Sequence, residues 1–320
     1  VGFQPDWVWI KNRDQANSHH IYDVIRGTTK RLRSNGNNAE DTVSNGLTAF
    51  GTDGFTVGNS GAVNGSSEKL VSWNWLAGTS FTNDASATGI GSIDSTGSVN
   101  QDAGFSICSF TGNGTSGASV KHGLSTKPAM MIIKNRDEAE PWTIYHHNNT
   151  SAPATDYLAL NDTHATTDSN TRWNDTLPTS SVFTVGTSGV VNANGQKFIA
   201  YLFAEKKGYS KFGSYTGNGN ADGTFIYTGF KPRFIMTKRT DGTSDWCIFD
   251  TVRSTLNPMY NILFPNKTDV ENTSEPIDVY SNGWKPRADS GFFNYPAGSS
   301  WIYYAIAEEP LVGDNPATAR

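Results

Sequence analysis

The chain has 320 residues, 36% hydrophobic and only 17% charged, with a formal charge of -5 and a pI near 5.7. That length allows two or three domains, and the acidic balance argues against a general binder of nucleic acid, which carries a basic face. Apolar residues gathered into strand-length runs exclude a disordered chain, and no run approaches the roughly 20 apolar residues of a membrane-spanning helix.

In chain order, Trp7, Trp9 and Lys11 alternate with Val8 and Ile10, the period of a β-strand. Ile21 to Leu32 is the one helix candidate, interrupted by Gly27-Thr28-Thr29. Val71, Trp73 and Trp75 then alternate with Leu70, Ser72 and Asn74 as a second strand. Residues 79–104, rich in Ser, Thr, Gly and Asp, read as a linker or extended arm. Phe110-Thr111-Gly112-Asn113-Gly114 ends a strand in an Asn-Gly turn, a strong hairpin signal because both residues tolerate positive φ. Met130 to Ile133 forms the next strand, and Phe198 to Phe203, apolar on both faces, predicts a central one. The short junction Glu205 to Phe212 leads to a second strand-and-turn, Tyr215-Thr216-Gly217-Asn218-Gly219, and Phe234 to Thr237 follows. The residues after Pro310 read as a frayed tail.

Spacing shows that one plan is written three times. Pro5, Pro128 and Pro232 each precede a lysine by six residues (Lys11, Lys134, Lys238), and an aromatic stands eleven residues further on at Tyr22, Tyr145 and Phe249. Asn64, Asn192 and Asn294 each precede an aromatic by nine residues, at Trp73, Tyr201 and Tyr303. Between these fixed halves lie segments of variable length and composition, about 27–54, 148–182 and 254–283. Constant flanks around variable middles describe a scaffold with adaptable loops. The expected fold is all-β: three tandem β-sandwich, jelly-roll-like repeats of about 100 residues. The divisions are 1–78, the 79–104 linker, 105–210 and 211–320. The first unit begins at Gly2-Phe3-Gln4-Pro5 without the strand that opens the other two. That strand is expected upstream of Val1, or from another segment or subunit, since a bare edge invites aggregation. A ring of three units within one chain is compatible with this pattern, although a long linker fits it poorly.

No reaction centre stands out. Cys108 and Cys247 sit in different units and read as buried free thiols. Adjacent histidines, His19-His20 and His146-His147, point to opposite faces of a strand and cannot chelate one ion, so they read as surface or turn residues. Lys11-Asn12-Arg13, Lys134-Asn135-Arg136 and, in the third unit, Lys238-Arg239-Thr240 read as solvated strand ends. Asp23 with Arg26 and Asp250 with Arg253 read as turn caps or ion pairs, with His146 and Asn149 in the corresponding places of the second unit. No metal or cofactor is implied, and the chain is not expected to be an enzyme. Of the tryptophans, Trp7, Trp9, Trp142 and Trp246 recur at strand positions and belong to the core. Trp173 lies in a variable segment, so Asn170, Arg172 and Trp173 are the candidate binding residues, suited to stacking on a sugar ring.

The phrases Gly2 to Arg13, Ile21-Tyr22-Asp23-Val24-Ile25-Arg26-Gly27 and Ser214 to Gly219, with Phe203-Ala204-Glu205 and Ala307-Glu308 near the unit ends, carry a likeness that extends over nearly the whole chain. Together they resemble a repeat of virion structural and tail-fibre-like proteins of marine bacteriophages. The resemblance implies a virion component. The expected role is a fibre or tail appendage engaging host-surface glycan and other virion proteins, and by analogy a homotrimer. A capsid decoration protein and a secreted carbohydrate-binding adhesin share the same composition. A polysaccharide-degrading enzyme would require a carboxylate pair in a groove.

Overall fold

The computed structural model describes residues 1–289 and 291–310; the tail expected after Pro310 lies outside them. The fold is all-β, a set of antiparallel sheets packed face to face. Helix among the described residues is confined to single turns: Gly61–Asn64, Ala85–Thr88, Asn170–Trp173 and Gly189–Asn192.

The three proline-led runs become the strands Trp7–Asn12, Met130–Asn135 and Pro232–Arg239. Each lies between a following hairpin strand (His20–Asp23, Thr143–His146, Cys247–Asp250) and a returning strand (Leu70–Trp75, Lys197–Phe203, Ser300–Ala307). Two of the three sheets continue past the returning strand, through Phe105–Thr111 and Ser210–Thr216. In the first sheet the Leu70–Trp75 strand has no strand on that side among the described residues.

Alternation sends one face of each central strand into a shared core. Trp7 and Trp9, Met130 and Ile132, and Phe234 and Met236 all belong to a single cluster that also takes in Tyr201 and Tyr304. The opposite faces enter separate clusters, Val8 and Ile10 in one, Met131 and Ile133 in a second, Ile235 in a third. Burial on both faces explains why these runs are apolar nearly throughout. Rings from different sheets interlock at the centre: Trp7 stacks on Tyr201 at 4.6 Å between centroids, and Phe203 lies 5.1 Å from Tyr304. Each such buried side chain contributes on the order of 2 kcal/mol.

The three sheets close on one another through matched bonds. Three residues before each repeated aromatic, a ring N–H crosses to a backbone carbonyl of the neighbouring sheet's loop. Trp142 Nε1 donates to Arg33 O at 2.7 Å, Trp246 Nε1 to Ala159 O at 2.8 Å, and His19 Nε2 meets Phe264 O at 3.0 Å. Backbone bonds repeat the pattern, from Glu40 N to Arg136 O, Thr166 N to Thr240 O and Glu271 N to Arg13 O. The seams join first to second, second to third and third to first, so the arrangement is a closed ring built from one chain. Trp142→Phe is expected to lower stability by about 1–2 kcal/mol, because the Arg33 carbonyl loses its donor; thermal denaturation followed by circular dichroism measures it.

Four expectations change. Residues 79–104 are not a linker: Thr79–Asn83 and Ser95–Asn100 are strands that extend the second sheet beyond Phe105–Thr111. That removes the obstacle to a ring. Ile21 to Leu32 is not a helix, since Ile21 and Leu32 bridge as a hairpin. Tyr303 is not the counterpart of Tyr201. Ile132 pairs with Tyr201 and Met236 pairs with Tyr304, so Tyr304 enters the shared core while Tyr303 points into the third cluster. One extra residue between Asn294 and the last strand shifts the face, as any one-residue slip in a strand must. The repeated lysines are also not solvated. Lys11, Lys134 and Lys238 are fully buried, and each ammonium donates to two backbone carbonyls: Asn12 O and Gln15 O, Asn135 O and Glu138 O, Arg239 O and Thr163 O. Burial lowers all three to about 8.

Candidate functional site: an exposed aromatic face

Perturbed ionisable groups often mark active sites, so the buried ones come first. Asp23 caps its own turn, accepting from Ile25 N and Arg26 N, and its other oxygen takes Arg26 Nε at 2.5 Å and the Tyr201 hydroxyl at 2.6 Å. Arg26 also reaches Glu40, which accepts a two-pronged pair from Arg136 of the second sheet at 2.9 and 3.0 Å. Asp250, Arg253, Glu271 and Arg13 repeat that chain between the third and first sheets. In the second sheet it is neutral: Asn149 Oδ1 accepts from Thr166 Oγ1 at 2.7 Å. These pairs are the seams of the ring, which is why each acid has an arginine; Asp250 also lines a cleft beside Trp73, whose indole N–H it accepts at 3.1 Å.

The histidines are likewise structural, and most are buried where surface positions were expected. His19 takes the Trp9 indole N–H on Nδ1 at 2.9 Å, leaving Nε2–H to donate to Phe264 O. His146 and His122 accept a backbone N–H on Nδ1 and direct Nε2 at a carbonyl. Burial pushes His20 and His146 down to about 3 and His122 to about 4, so all three are neutral. Cys108 and Cys247 are buried free thiols, and burial raises both. Among the described residues no group of three or more His, Cys, Asp or Glu side chains is placed to hold a metal.

The candidate binding residues are not brought together on a surface. Trp173 is 1% exposed, donates Nε1 to Asp156 O at 2.9 Å and packs edge-on against Tyr145. Arg172 lies over the Tyr157 ring at 4.4 Å and bonds Ser188 Oγ, and of the three only Asn170 is exposed. The short helical turn Asn170–Trp173 turns its tryptophan inward as a plug for the second cluster. A variable segment therefore supplies core here.

Exposed aromatics stand elsewhere, on the outer sheet of the third region, ordered Ile226–Tyr227, Gly283–Pro286, Ile277–Tyr280. Alternation buries Ile226 and turns its neighbours outward: Phe225 is 45% and Tyr227 65% exposed. Tyr280, 38% exposed, meets Phe225 at 5.8 Å in a T-shaped contact. Gly283 makes room for this, since a Cβ there would lie 2.7 Å from Phe225 Cζ. Beside Tyr280 opens a cleft of about 230 Å³ lined by Lys231, Ser254, Leu256, Asn257 and Val279. Asn257 acts as a strand partner for Val279, donating to its carbonyl at 2.8 Å and accepting from its N–H at 2.9 Å. Leu256, 80% exposed, rims the cleft, and Asp278 accepts from the Tyr280 hydroxyl at 3.2 Å. Aromatic faces beside polar groups and a rigid wall suit a ring-shaped, hydroxyl-rich ligand. The signal in the sequence was Phe225-Ile226-Tyr227, polar context on both sides and period two.

Fold and surface together define an all-β sandwich protein with a dense internal core and an exposed aromatic face. The chain belongs to the family described as a domain of unknown function (DUF7483), whose model matches residues 1–310. No curated protein and no solved structure matches it.

Proposed function

We propose that this protein is a structural component of a bacteriophage particle, in a fibre or tail appendage, and that it presents the Phe225–Tyr227–Tyr280 face to a host-surface glycan. The observation that carries the glycan part is that face: a packed protein rarely leaves neighbouring large aromatics open to water without a partner. The virion part rests on the resemblance of the repeated phrases, and a core shared by three sheets suits a part that must stay rigid under load. Single sites of this kind bind weakly and gain strength when many copies act together on one particle.

Tyr227→Ala combined with Tyr280→Ala is expected to weaken binding of labelled protein to host cells about tenfold, the worth of two aromatic contacts. Free host polysaccharide should compete with the unmodified protein. Unchanged binding by the double variant would remove this face from the function. A purely structural role in the particle is the second reading, favoured by the core shared among the three sheets.

A further inference from the structure

The returning strands of the second and third sheets are sealed on their outer side, Lys197–Phe203 by Phe105–Thr111 and Ser300–Ala307 by Ser210–Thr216. Leu70–Trp75 occupies the same place in the first sheet, with Lys11 opposite Val71 as Lys134 is opposite Ile199. Among the described residues its outer edge is open. Arg13 N bonds Lys69 O, so by antiparallel alternation Leu70, Ser72 and Asn74 turn their N–H and C=O groups outward. The Asn74 side chain folds back onto Ser72 O, and its own Oδ1 is buried with no partner. Only Trp73 and Trp75 of this strand are buried, whereas six of the seven residues of Lys197–Phe203 are.

Three further features fit one absent strand. Along the edge runs a mainly apolar cleft of about 400 Å³, lined by Val71, Trp73, Trp75, Phe234 and Ile306. In the second and third sheets the corresponding inward positions hold Ile107 and Phe212, paired with Tyr201 and Tyr304 and sunk in the shared core. Next, Asn192 and Asn294 each accept the backbone N–H of the asparagine in a Gly-Asn-Gly turn, Asn113 and Asn218, at 2.9 and 3.1 Å. Asn64 makes the matching inner bond, Nδ2 to Gly58 O at 2.9 Å, yet it is exposed and receives no such turn. Finally, Gly54–Val57 pairs with Leu47–Gly51 but, among the described residues, lacks the partner that Ala118–Lys121 gives Val182–Val185 and that Ile226–Tyr227 gives Gly283–Pro286. Both bare edges converge near Val1, whose amino group donates to Asp53 O at 3.0 Å.

We propose that these edges receive a strand–turn–strand segment of the Ser210–Tyr227 type, belonging to this same polypeptide and lying outside the 320 residues. Its first strand pairs antiparallel with Leu70–Trp75 and drops apolar side chains into the cleft. Its Gly-Asn-Gly turn bonds Asn64, and its second strand pairs with Gly54–Val57. Strand addition of this kind takes its affinity from main-chain bonds and its register from side-chain pockets.

The test adds a synthetic peptide of the Ser210–Tyr227 sequence to the 320-residue chain and follows tryptophan fluorescence and calorimetric stoichiometry. One peptide per chain is expected, with binding weakened at least tenfold by Asn64→Ala, and abolished by Ser72→Pro, which removes an outward N–H while leaving bonds to the Trp7–Asn12 strand in place. Circular dichroism should show both variants folded. No binding, or binding indifferent to both substitutions, overturns the proposal. So does a chain that is dimeric by light scattering without peptide and monomeric as Ser72→Pro, because a second copy then fills the edge.

Discussion

Lowering the pH from 6.5 to 4.5 is expected to cost this protein about 7 kcal/mol of stability, on the scale of the whole folding free energy of a typical domain. His20, His122 and His146 ordinarily titrate near 6.5, but burial holds them neutral down to about 3, 4 and 3 in the fold. Between those values the unfolded chain carries protons that the folded chain refuses. Stability therefore falls as pH falls, at half the full slope near pH 6.5 and, once the unfolded chain is protonated, by about 1.4 kcal/mol per pH unit for each histidine and about 4 for the three. Below pH 4.5 carboxylates add to the loss. Burial alone would raise Glu271, yet its bonds to Arg13 and Arg253 hold it below its usual value, so its contribution too disappears in acid. Urea titrations at half-unit pH intervals measure the slope. His122→Gln keeps an acceptor and a donor without a titratable ring, and should reduce the slope by about 1.4 kcal/mol per pH unit. A flat profile between pH 6.5 and 4.5 would mean the histidines reach water.

Asp23→Ala is expected to cost about 4 kcal/mol at pH 7. Asp23 and Arg26 have side chains fully removed from solvent, so deletion of the carboxylate strands a buried guanidinium. It also takes away the acceptor of the Tyr201 hydroxyl, a bond that ties the second sheet to the first. Arg26→Ala should cost about as much, for the complementary reason. The second sheet shows the neutral solution, with His146 and Asn149 in the corresponding places. Asp23→His combined with Arg26→Asn should therefore cost at least 2 kcal/mol less than the two alanine substitutions added together. Additive costs would show that the pair is not coupled. Equilibrium denaturation of the four proteins decides it.

The threefold period was legible because it is written in residues that cannot move: a proline opening each central strand, a lysine closing it, an aromatic on the hairpin. What these residues do was less legible. A buried lysine satisfied by two carbonyls has the same letter as a solvated one, and Lys11, Lys134 and Lys238 were read as surface. Residues 79–104 carry few apolar side chains because their strands form the outer edge of the second sheet, where water covers one side. A polar edge strand and a polar linker share a composition. Tyr303 was placed a residue out of register because spacing counts residues and cannot see where an insertion falls. Trp173 looked like a recognition residue for lying in a variable segment, but length variation says nothing about which way a ring points. The aromatic face was missed for the converse reason. Phe225 and Tyr227 flank a buried Ile226, and an alternating triplet reads the same whether its outer pair meets water or a neighbouring sheet.

Closure of the ring by a single chain has a consequence for valence. An assembly of three identical subunits would carry every surface in triplicate, and an edge open on one would be open on all. Here three similar sheets have diverged within one polypeptide. Among the described residues, the open returning-strand edge belongs to the first sheet and the Phe225–Tyr227–Tyr280 face to the third. The molecule repeats one sheet plan three times, yet among the described residues it carries this edge once and this face once.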